Sequence, residues 1–166
     1  MTGPSMIPPD GRALQQGERE SILDEIEEIV ETSHLFKSLD ASGRRELIEM
    51  GYVRDFPAGE TLMEQGEPGG DAMYLVLTGK VMVETTKGTS SSVQLATLGH
   101  GACLGEVSVL AGGPRTATVR ALEDVTVVAF ARHRVMRIID AHPKVRALLE
   151  AMIEGRARSA LEKIIG

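Results

Sequence analysis

The chain has 166 residues, about the size of one domain, and its 18 Lys and Arg against 24 Asp and Glu give a net charge of -6. This acidic balance disfavours a surface that neutralises phosphate backbones, and two Tyr, three Phe and no Trp leave few rings to stack on bases. A dedicated nucleic-acid binder is therefore disfavoured. The single cysteine, Cys103, excludes an internal disulfide and fits a reducing compartment. Because the sequence has no signal-like start and no long apolar run, we expect a cytoplasmic protein with no membrane partner.

The first third of the chain is predicted to be helical after an unstructured start. Residues 1–17 are rich in Pro and Gly and poor in core-forming side chains, which predicts a disordered leader. Over residues 18–32, apolar side chains recur at helical spacing and acidic side chains fill the other face, either as a solvated surface or as a dock for a basic one. Ser42 is predicted to cap a second helix that ends at Gly51. We therefore expect an N-terminal helical segment over 18–51.

The pattern changes to short strands over residues 52–131. Apolar runs are separated every eight to twelve residues by turn sequences rich in Gly and Pro, a spacing typical of an antiparallel sandwich or barrel. The runs 73–77 and 81–84 flank Gly79 and are predicted to form a hairpin. The predicted fold class is α+β, with an antiparallel β-roll of the jelly-roll type flanked by N-terminal and C-terminal helices.

Residues 132–166 are predicted to form two further helices. The first runs from Arg132 to Ala141 and stops before Pro143, which suits the first turn of the last helix. Basic side chains outnumber acidic ones in this segment, the reverse of the first helix. The two ends of the chain are therefore expected either to associate electrostatically, within one chain or in a homodimer, or to pack separately on the roll.

The residues that carry chemistry lie in the segment 104–119. Gly105 lets the backbone approach a ligand and precedes one predicted helical turn, whose N–H groups favour an anion. Arg115, at the mouth of a strand, can grip a phosphate with two parallel hydrogen bonds, and Glu106 can accept hydrogen bonds from sugar hydroxyls. This combination predicts a sugar phosphate site. Taken singly, each residue has a plainer interpretation, as a solvated charge, a cap or a turn residue.

The same segment resembles a known family. Its residues read Leu104-Gly105-Glu106-Val107-Ser108-Val109-Leu110 and then Pro114-Arg115-Thr116-Ala117-Thr118-Val119. They resemble the phosphate-binding cassette of the cyclic nucleotide-binding domain, which occurs in regulatory subunits of cyclic-nucleotide-dependent kinases, in gated channels and in bacterial catabolite activator-type regulators. Glycine turns upstream, at 56–60 and 66–76, also resemble the first strands of that family. The resemblance covers about residues 35–149, most of the chain.

The resemblance implies a set of ligand-binding residues, namely Gly105, Glu106, Val107, Ser108, Arg115 and Thr116. By it, Arg115 would hold the exocyclic phosphate and Glu106 the ribose 2′-hydroxyl. Gly105 and the backbone of Val107 and Ser108 would complete the cradle.

Two details of the resemblance bear on the base. Thr116, directly after the arginine and beside the phosphate or base, accompanies a preference for guanine in several members, but bacterial members with the same pair do not follow that rule consistently. Cyclic AMP is therefore the expected ligand and cyclic GMP the less favoured one. Leu104 stands where the family more often has Phe, a tolerable apolar exchange. A residue near 146–150 is expected to close over the base.

The expected function is a cytoplasmic sensor that binds a cyclic nucleotide and signals to an effector protein through movement of its C-terminal helix. The alternative is a degenerate member that acts as a protein-interaction scaffold without ligand. We expect no catalysis, no cofactor and no metal, because the four histidines show no paired ligand spacing and Cys103 reads as a packed thiol. The residues after His142 fit one helix, too few for the helix-turn-helix that regulators of this family carry, so no DNA partner is expected.

Overall fold

The computed structural model of the protein describes residues 11–68, 72–87 and 91–151. The strands in these ranges are β1 (Gly11–Ala13), β2 (Tyr52–Phe56), β3 (Thr61–Met63), β4 (Ala72–Thr78), β5 (Val81–Lys87), β6 (Ser91–Leu98), β7 (Cys103–Leu104), β8 (Thr118–Ala121) and β9 (Val125–Ala131). The helices are α1 (Gln16–Asp24), α2 (Ile26–Thr32), α3 (His34–Ser38), α4 (Ala41–Glu49), α5 (Glu106–Ala111) and α6 (Arg132–Asp140). Residues 143–151 are also helical.

The strands form two antiparallel sheets that face each other as a roll. One sheet has the order β1-β2-β9-β4-β7 and the other the order β3-β8-β5-β6. Along β2, Tyr52 and Phe56 belong to the core inside the roll, whereas Val53 belongs to the core outside it. This alternation is the period-two pattern of a strand with both faces covered. The predicted α+β class, an antiparallel roll flanked by helices, is confirmed.

Two apolar cores hold the molecule together. The first fills the roll and contains Tyr74, Val76, Leu104, Val119 and Val127 among others. The second lies between the outer face of the roll and the helices, where Phe36 of α3 meets Phe130 of β9 edge-on, with ring centroids 5.9 Å apart. Edge-to-face aromatic pairs stabilise beyond the area they bury. The N-terminal helices are thus packed on the roll.

The predicted hairpin around Gly79 is wrong, although both of its strands exist. β4 pairs with β7 and β9, whereas β5 pairs with β6 and β8 in the other sheet. The chain crosses between the sheets at Gly79, which has φ +92° and lies so close to the next turn that a Cβ would stand 2.3 Å from the Asp124 carbonyl oxygen. A glycine between two strands is therefore a sheet-crossing corner here rather than a hairpin turn.

The disordered leader expected for residues 1–17 is contradicted over residues 11–17. Gly11–Ala13 pair with β2 at the edge of the sheet, and Leu14 is buried. Arg12 donates to both carboxylate oxygens of Glu18, at 2.8 and 3.0 Å, and this hydrogen bond lowers the pKa of Glu18. A sheet edge, one buried leucine and a bidentate ion pair order a segment whose composition alone predicts disorder. Residues 1–10 lie outside the described residues.

Two helix boundaries also differ from the sequence prediction. The helix predicted over 18–32 is divided at Glu25 into α1 and α2. α4 is capped by Asp40, whose carboxylate accepts from the Gly43 N–H at 2.8 Å, so the predicted cap at Ser42 is wrong and Ser42 lies inside the helix. Asp and Ser are equally good caps, so cap preference alone does not choose between two candidates that lie two residues apart.

At the C-terminal end, α6 confirms the predicted helix that stops before Pro143. The last helix is present over 143–151, and its predicted continuation lies outside the described residues. In the described ranges, every helix is too short or too polar to cross a lipid bilayer.

His100 links the N-terminal helices to the roll. Its Nδ1 lies 2.6 Å from the Leu77 carbonyl oxygen and its Nε2 contacts the Glu25 carboxylate, at the junction of α1 and α2. Both neighbours are hydrogen-bond acceptors, so only the imidazolium, which donates from both nitrogens, satisfies the pair. The hydrogen bond to Leu77 and the one to Glu25 therefore raise the pKa of His100.

This contact predicts a pH-dependent stability. A raised pKa in the folded state stabilises the protein below the ordinary histidine value of 6.5, and the contribution is lost as pH rises through the raised pKa. We expect His100→Gln to remove this dependence from unfolding curves measured between pH 5.5 and about 8. Exposed His133 serves as control, since His133→Gln should keep the wild-type profile. Identical profiles for wild type and His100→Gln would contradict the assignment.

Candidate functional site

The site is organised around Gly105, which joins β7 to α5. Gly105 has φ +75°, the left-handed region that favours glycine. A Cβ at this position would stand 2.3 Å from Nη1 of Arg115 and 3.1 Å from Cε of Met63. The glycine is therefore required twice, once by its backbone angle and once by the guanidinium that occupies the space a side chain would fill.

Arg115 is buried, with 6% of its surface exposed. Its Nη2 donates to the Ala72 carbonyl oxygen at 2.8 Å, and its Nη1 donates to Ser108 Oγ at 3.0 Å and to the Gly105 carbonyl oxygen at 3.4 Å. The Arg115 backbone is held as well, because its N–H donates to Glu67 and its carbonyl accepts from Gly66. Two separate segments thus bind the guanidinium, and a third holds the backbone of Arg115.

Within residues 11–68, 72–87 and 91–151, these partners give the charge of Arg115 no counter-charge. All three side-chain acceptors are neutral oxygens, and no carboxylate of the described residues forms an ion pair with Arg115. A buried charge is costly unless it is paired. The arrangement therefore favours an anion beside the guanidinium.

Glu106 is also buried, at 1% exposed, and its carboxylate points to the N-terminal helices. Oε2 accepts from Ser33 Oγ at 2.6 Å and from the Leu35 N–H at 3.3 Å, and Oε1 accepts from the His34 N–H at 3.0 Å. A carboxylate with several donors around it is well satisfied without water. Glu106 therefore caps α3 in this structure, and its role toward a ribose hydroxyl stays a prediction.

Of the remaining predicted residues, Ser108 contacts Arg115 through its side chain, whereas Thr116 is exposed. Ser108 is buried, accepts from Arg115 and donates to the Gly105 carbonyl oxygen at 3.3 Å, so these three residues form one cluster. Val107 contributes its backbone to α5. Thr116 follows Arg115 but is exposed. The predicted packed thiol is confirmed, since Cys103 is buried in β7.

Three contributors to the site were not predicted from the sequence. Ser33 caps α3 by accepting from the Phe36 N–H at 3.1 Å, a local pattern that Ser before a short helix could have indicated. Its bond to Glu106 joins residues 73 positions apart and has no sequence signal. The Ala72 carbonyl and the Met63 side chain reach Arg115 and Gly105 only through the fold of the sheets.

The described part of the last helix, residues 143–151, borders a cleft next to α5, and the closing residue expected near 146–150 stays a prediction. A cleft between α5, α6 and residues 143–151 is lined by Leu110, Met136, Ile139, Arg146, Leu149 and Glu150. Arg146 is paired with Asp140 of α6. A displacement of α5 would therefore change the packing of residues 143–151, because both elements line this cleft.

The double constraint on Gly105 can be tested by substitution. Gly105→Ala places a Cβ against the guanidinium at a positive φ, so we expect the free energy of unfolding to fall by more than about 1 kcal/mol in urea denaturation. Gly113 is the matched control, because its φ is not positive and a Cβ there meets nothing within 4 Å. Equal stability of the two variants would contradict the constraint.

The bond between Ser33 and Glu106 gives a second test. Ser33→Ala removes a cap and leaves a buried carboxylate short of one donor, so we expect a loss of about 1–3 kcal/mol of stability by chemical denaturation. Ser42→Ala, on the exposed side of α4, should change stability by less than about 0.5 kcal/mol. A neutral Ser33→Ala would show that the Ser33 hydroxyl is not needed to stabilise the buried Glu106 carboxylate.

The geometry agrees with comparisons to known proteins. The family model of the cyclic nucleotide-binding domain matches residues 53–142, more than half of the chain. The match includes the whole of the roll after the first residue of β2, together with α5 and α6.

Curated relatives and solved structures point the same way. A CRP-like cAMP-activated global transcriptional regulator of Mycobacterium tuberculosis is 27% identical over 133 residues, 80% of this chain and 59% of the relative. The cyclic AMP receptor protein of Thermus thermophilus is 36% identical over 107 residues, 64% of this chain and 49% of the relative. The crystal structure of the Thermus thermophilus catabolite activator protein superposes with TM-score 0.66 at 32% identity, covering 80% of this chain and 62% of that one.

The chain therefore spans roughly half the length of these curated relatives. What it shares with them is the cyclic nucleotide-binding domain, whose family model matches residues 53–142. The resemblance seen in the segment 104–119 is confirmed, and the chain belongs to the cyclic nucleotide-binding domain family.

Proposed function

We propose that this chain binds a cyclic nucleotide, cyclic AMP in preference to cyclic GMP, and acts as a regulatory sensor. The observation that carries the proposal is the buried guanidinium of Arg115, which has neutral partners and no carboxylate among the described residues. The exocyclic phosphate would supply the missing negative charge through charge-assisted hydrogen bonds. The preference for cyclic AMP is supported by relatives whose names give cAMP as their activator or ligand.

Glu106 would bind the ribose in this proposal, and Gly105, Val107 and Ser108 would line the phosphate with their backbone. Because the Glu106 carboxylate already accepts from Ser33, His34 and Leu35, a sugar hydroxyl would have to share it with α3 or displace one of these donors. Nucleotide binding would then change the junction between α2 and α3. Thr116, exposed beside Arg115, would lie at the edge of the ligand.

The signal would leave through the C-terminal helix, which shares a cleft with α5. The chain would be divided into an N-terminal helical segment over 18–51, the roll over 52–131 and C-terminal helices from 132 onward. We propose an effector protein as the partner, a homodimer through the oppositely charged ends as an option, and a cytoplasmic location. The net charge of -6 supports a domain that does not itself bind DNA, and the role proposed for this domain is regulatory rather than catalytic.

One observation favours a second candidate, a scaffold without ligand. Arg115 and Glu106 both have structural partners in this structure, since one holds β4 to α5 and the other holds α5 to α3. A domain that had lost its ligand would keep both residues for these contacts alone. Such a scaffold would bind its protein partner equally well with or without nucleotide.

Isothermal titration calorimetry with cyclic AMP and cyclic GMP separates the two. We expect wild type to bind cyclic AMP more tightly than cyclic GMP, and Arg115→Ala to weaken binding of cyclic AMP at least about 30-fold, which corresponds to the loss of about 2 kcal/mol from charge-assisted hydrogen bonds. The matched control is Arg120→Ala on the exposed side of β8, which should bind like wild type.

A thermal unfolding curve of Arg115→Ala without ligand shows whether the variant is folded. A folded Arg115→Ala that binds cyclic AMP as tightly as wild type contradicts the assignment of Arg115. No heat with either nucleotide on wild type contradicts the sensor and supports the scaffold.

A further inference from the structure

Thr85 on β5 carries a buried hydroxyl that the fold does not explain. The residue is 1% exposed, and its Oγ1 has no hydrogen-bond partner in the part of the chain that the structure describes. A buried polar group without a partner is costly, and valine has nearly the same shape without this cost. A threonine at this position therefore needs a reason other than packing.

The pleat of β5 directs Thr85 to the inside of the roll. Val81 belongs to the core inside the roll and Val83 packs against it, and residues two apart on a strand share a face. The irregularity in the pairing of β5 with β6 lies on β6, where Ala96 and Gln94 oppose consecutive residues of β5. The alternation of β5 therefore continues unbroken from Val81 to Thr85.

The same face leads from Thr85 to the cluster around Arg115. Met63, whose Cε lies against Gly105 and next to the guanidinium, pairs with Val119, and Val119 pairs with Val83. Thr85 is the next residue after Val83 on β5 whose side chain faces the inside of the roll. Since neighbouring strands are about 4.8 Å apart, Thr85 lies about two strand spacings across the sheet from the strand that carries Met63.

Gln65 and Gly66, which follow β3, connect the strands near Thr85 to Arg115. Gln65 accepts from the Thr86 N–H through its side chain at 2.7 Å and donates to Thr118 Oγ1 from its backbone at 3.0 Å. Its neighbour Gly66 donates to the Arg115 carbonyl oxygen at 2.9 Å. The backbone next to Thr85 is thus connected to the backbone of Arg115 through two consecutive residues.

We propose that the Thr85 hydroxyl hydrogen-bonds the purine base of the bound cyclic nucleotide and contributes to the choice of base. The inference rests on the proposed function, because it takes the phosphate to be held at Arg115. The base then extends away from the guanidinium along the inner face of the roll. Met63 has a flexible side chain and lies between the two residues, so it can move to open this path. A hydroxyl both donates and accepts, and it faces the 6-amino group of adenine as acceptor.

The test compares Thr85→Val and Thr85→Ser with wild type by titration calorimetry. The ligands are cyclic AMP and purine riboside 3′,5′-cyclic monophosphate, which lacks the 6-amino group. We expect Thr85→Val to bind cyclic AMP about fivefold or more weakly, as for the loss of one hydrogen bond, and to bind the analogue like wild type. Thr85→Ser keeps the hydroxyl and should retain the preference for cyclic AMP over the analogue.

A second readout needs no ligand. Because Thr85→Val removes an unpartnered buried hydroxyl, its melting temperature without nucleotide should equal or exceed that of wild type, which separates loss of affinity from loss of fold. If Thr85→Val weakens both ligands equally, or weakens neither, the inference is overturned while the proposed function stands. If wild type binds neither nucleotide, both are overturned.

Discussion

The structure depends most on the buried carboxylate of Glu106. It is the first residue of α5 in the segment next to Arg115, yet its hydrogen-bond donors are Ser33, His34 and Leu35 at the junction of α2 and α3. A buried carboxylate is tolerated only when donors surround it, so the roll and the N-terminal helices cannot separate without exposing or protonating it. The same contact connects α5 directly to the N-terminal helices.

Arg115 places a second constraint on the same six-residue helix. Its guanidinium fills the space that a side chain at position 105 would take. It also donates a hydrogen bond to Ser108, which belongs to α5. α5 is thus held from one side by the guanidinium and from the other by α3. The guanidinium also donates to the Ala72 carbonyl, so Arg115 connects α5 to β4, whereas Glu106 connects α5 to α3.

The sequence was sufficient for the fold class and for the cluster of Gly105, Ser108 and Arg115, because these follow from local turn chemistry and from a compact motif. It was insufficient for features that depend on contacts between segments far apart in the chain. Gly11–Ala13 are ordered by pairing with β2, and the chain crosses at Gly79 because β4 pairs with β9 in one sheet and β5 pairs with β6 and β8 in the other. The partner of Glu106 lies 73 positions upstream, so no local pattern could have indicated it. Composition and residue spacing give information about one segment at a time, whereas these features depend on which two segments come into contact.

A crystal structure of the protein with cyclic AMP tests most directly whether Arg115 binds the exocyclic phosphate. We expect two oxygens of the exocyclic phosphate within hydrogen-bond distance of the Arg115 guanidinium, about 2.7–2.9 Å, with the nucleotide inside the roll. A guanidinium that still donates only to Ala72 and Ser108, with the nucleotide bound elsewhere or not at all, would contradict this expectation.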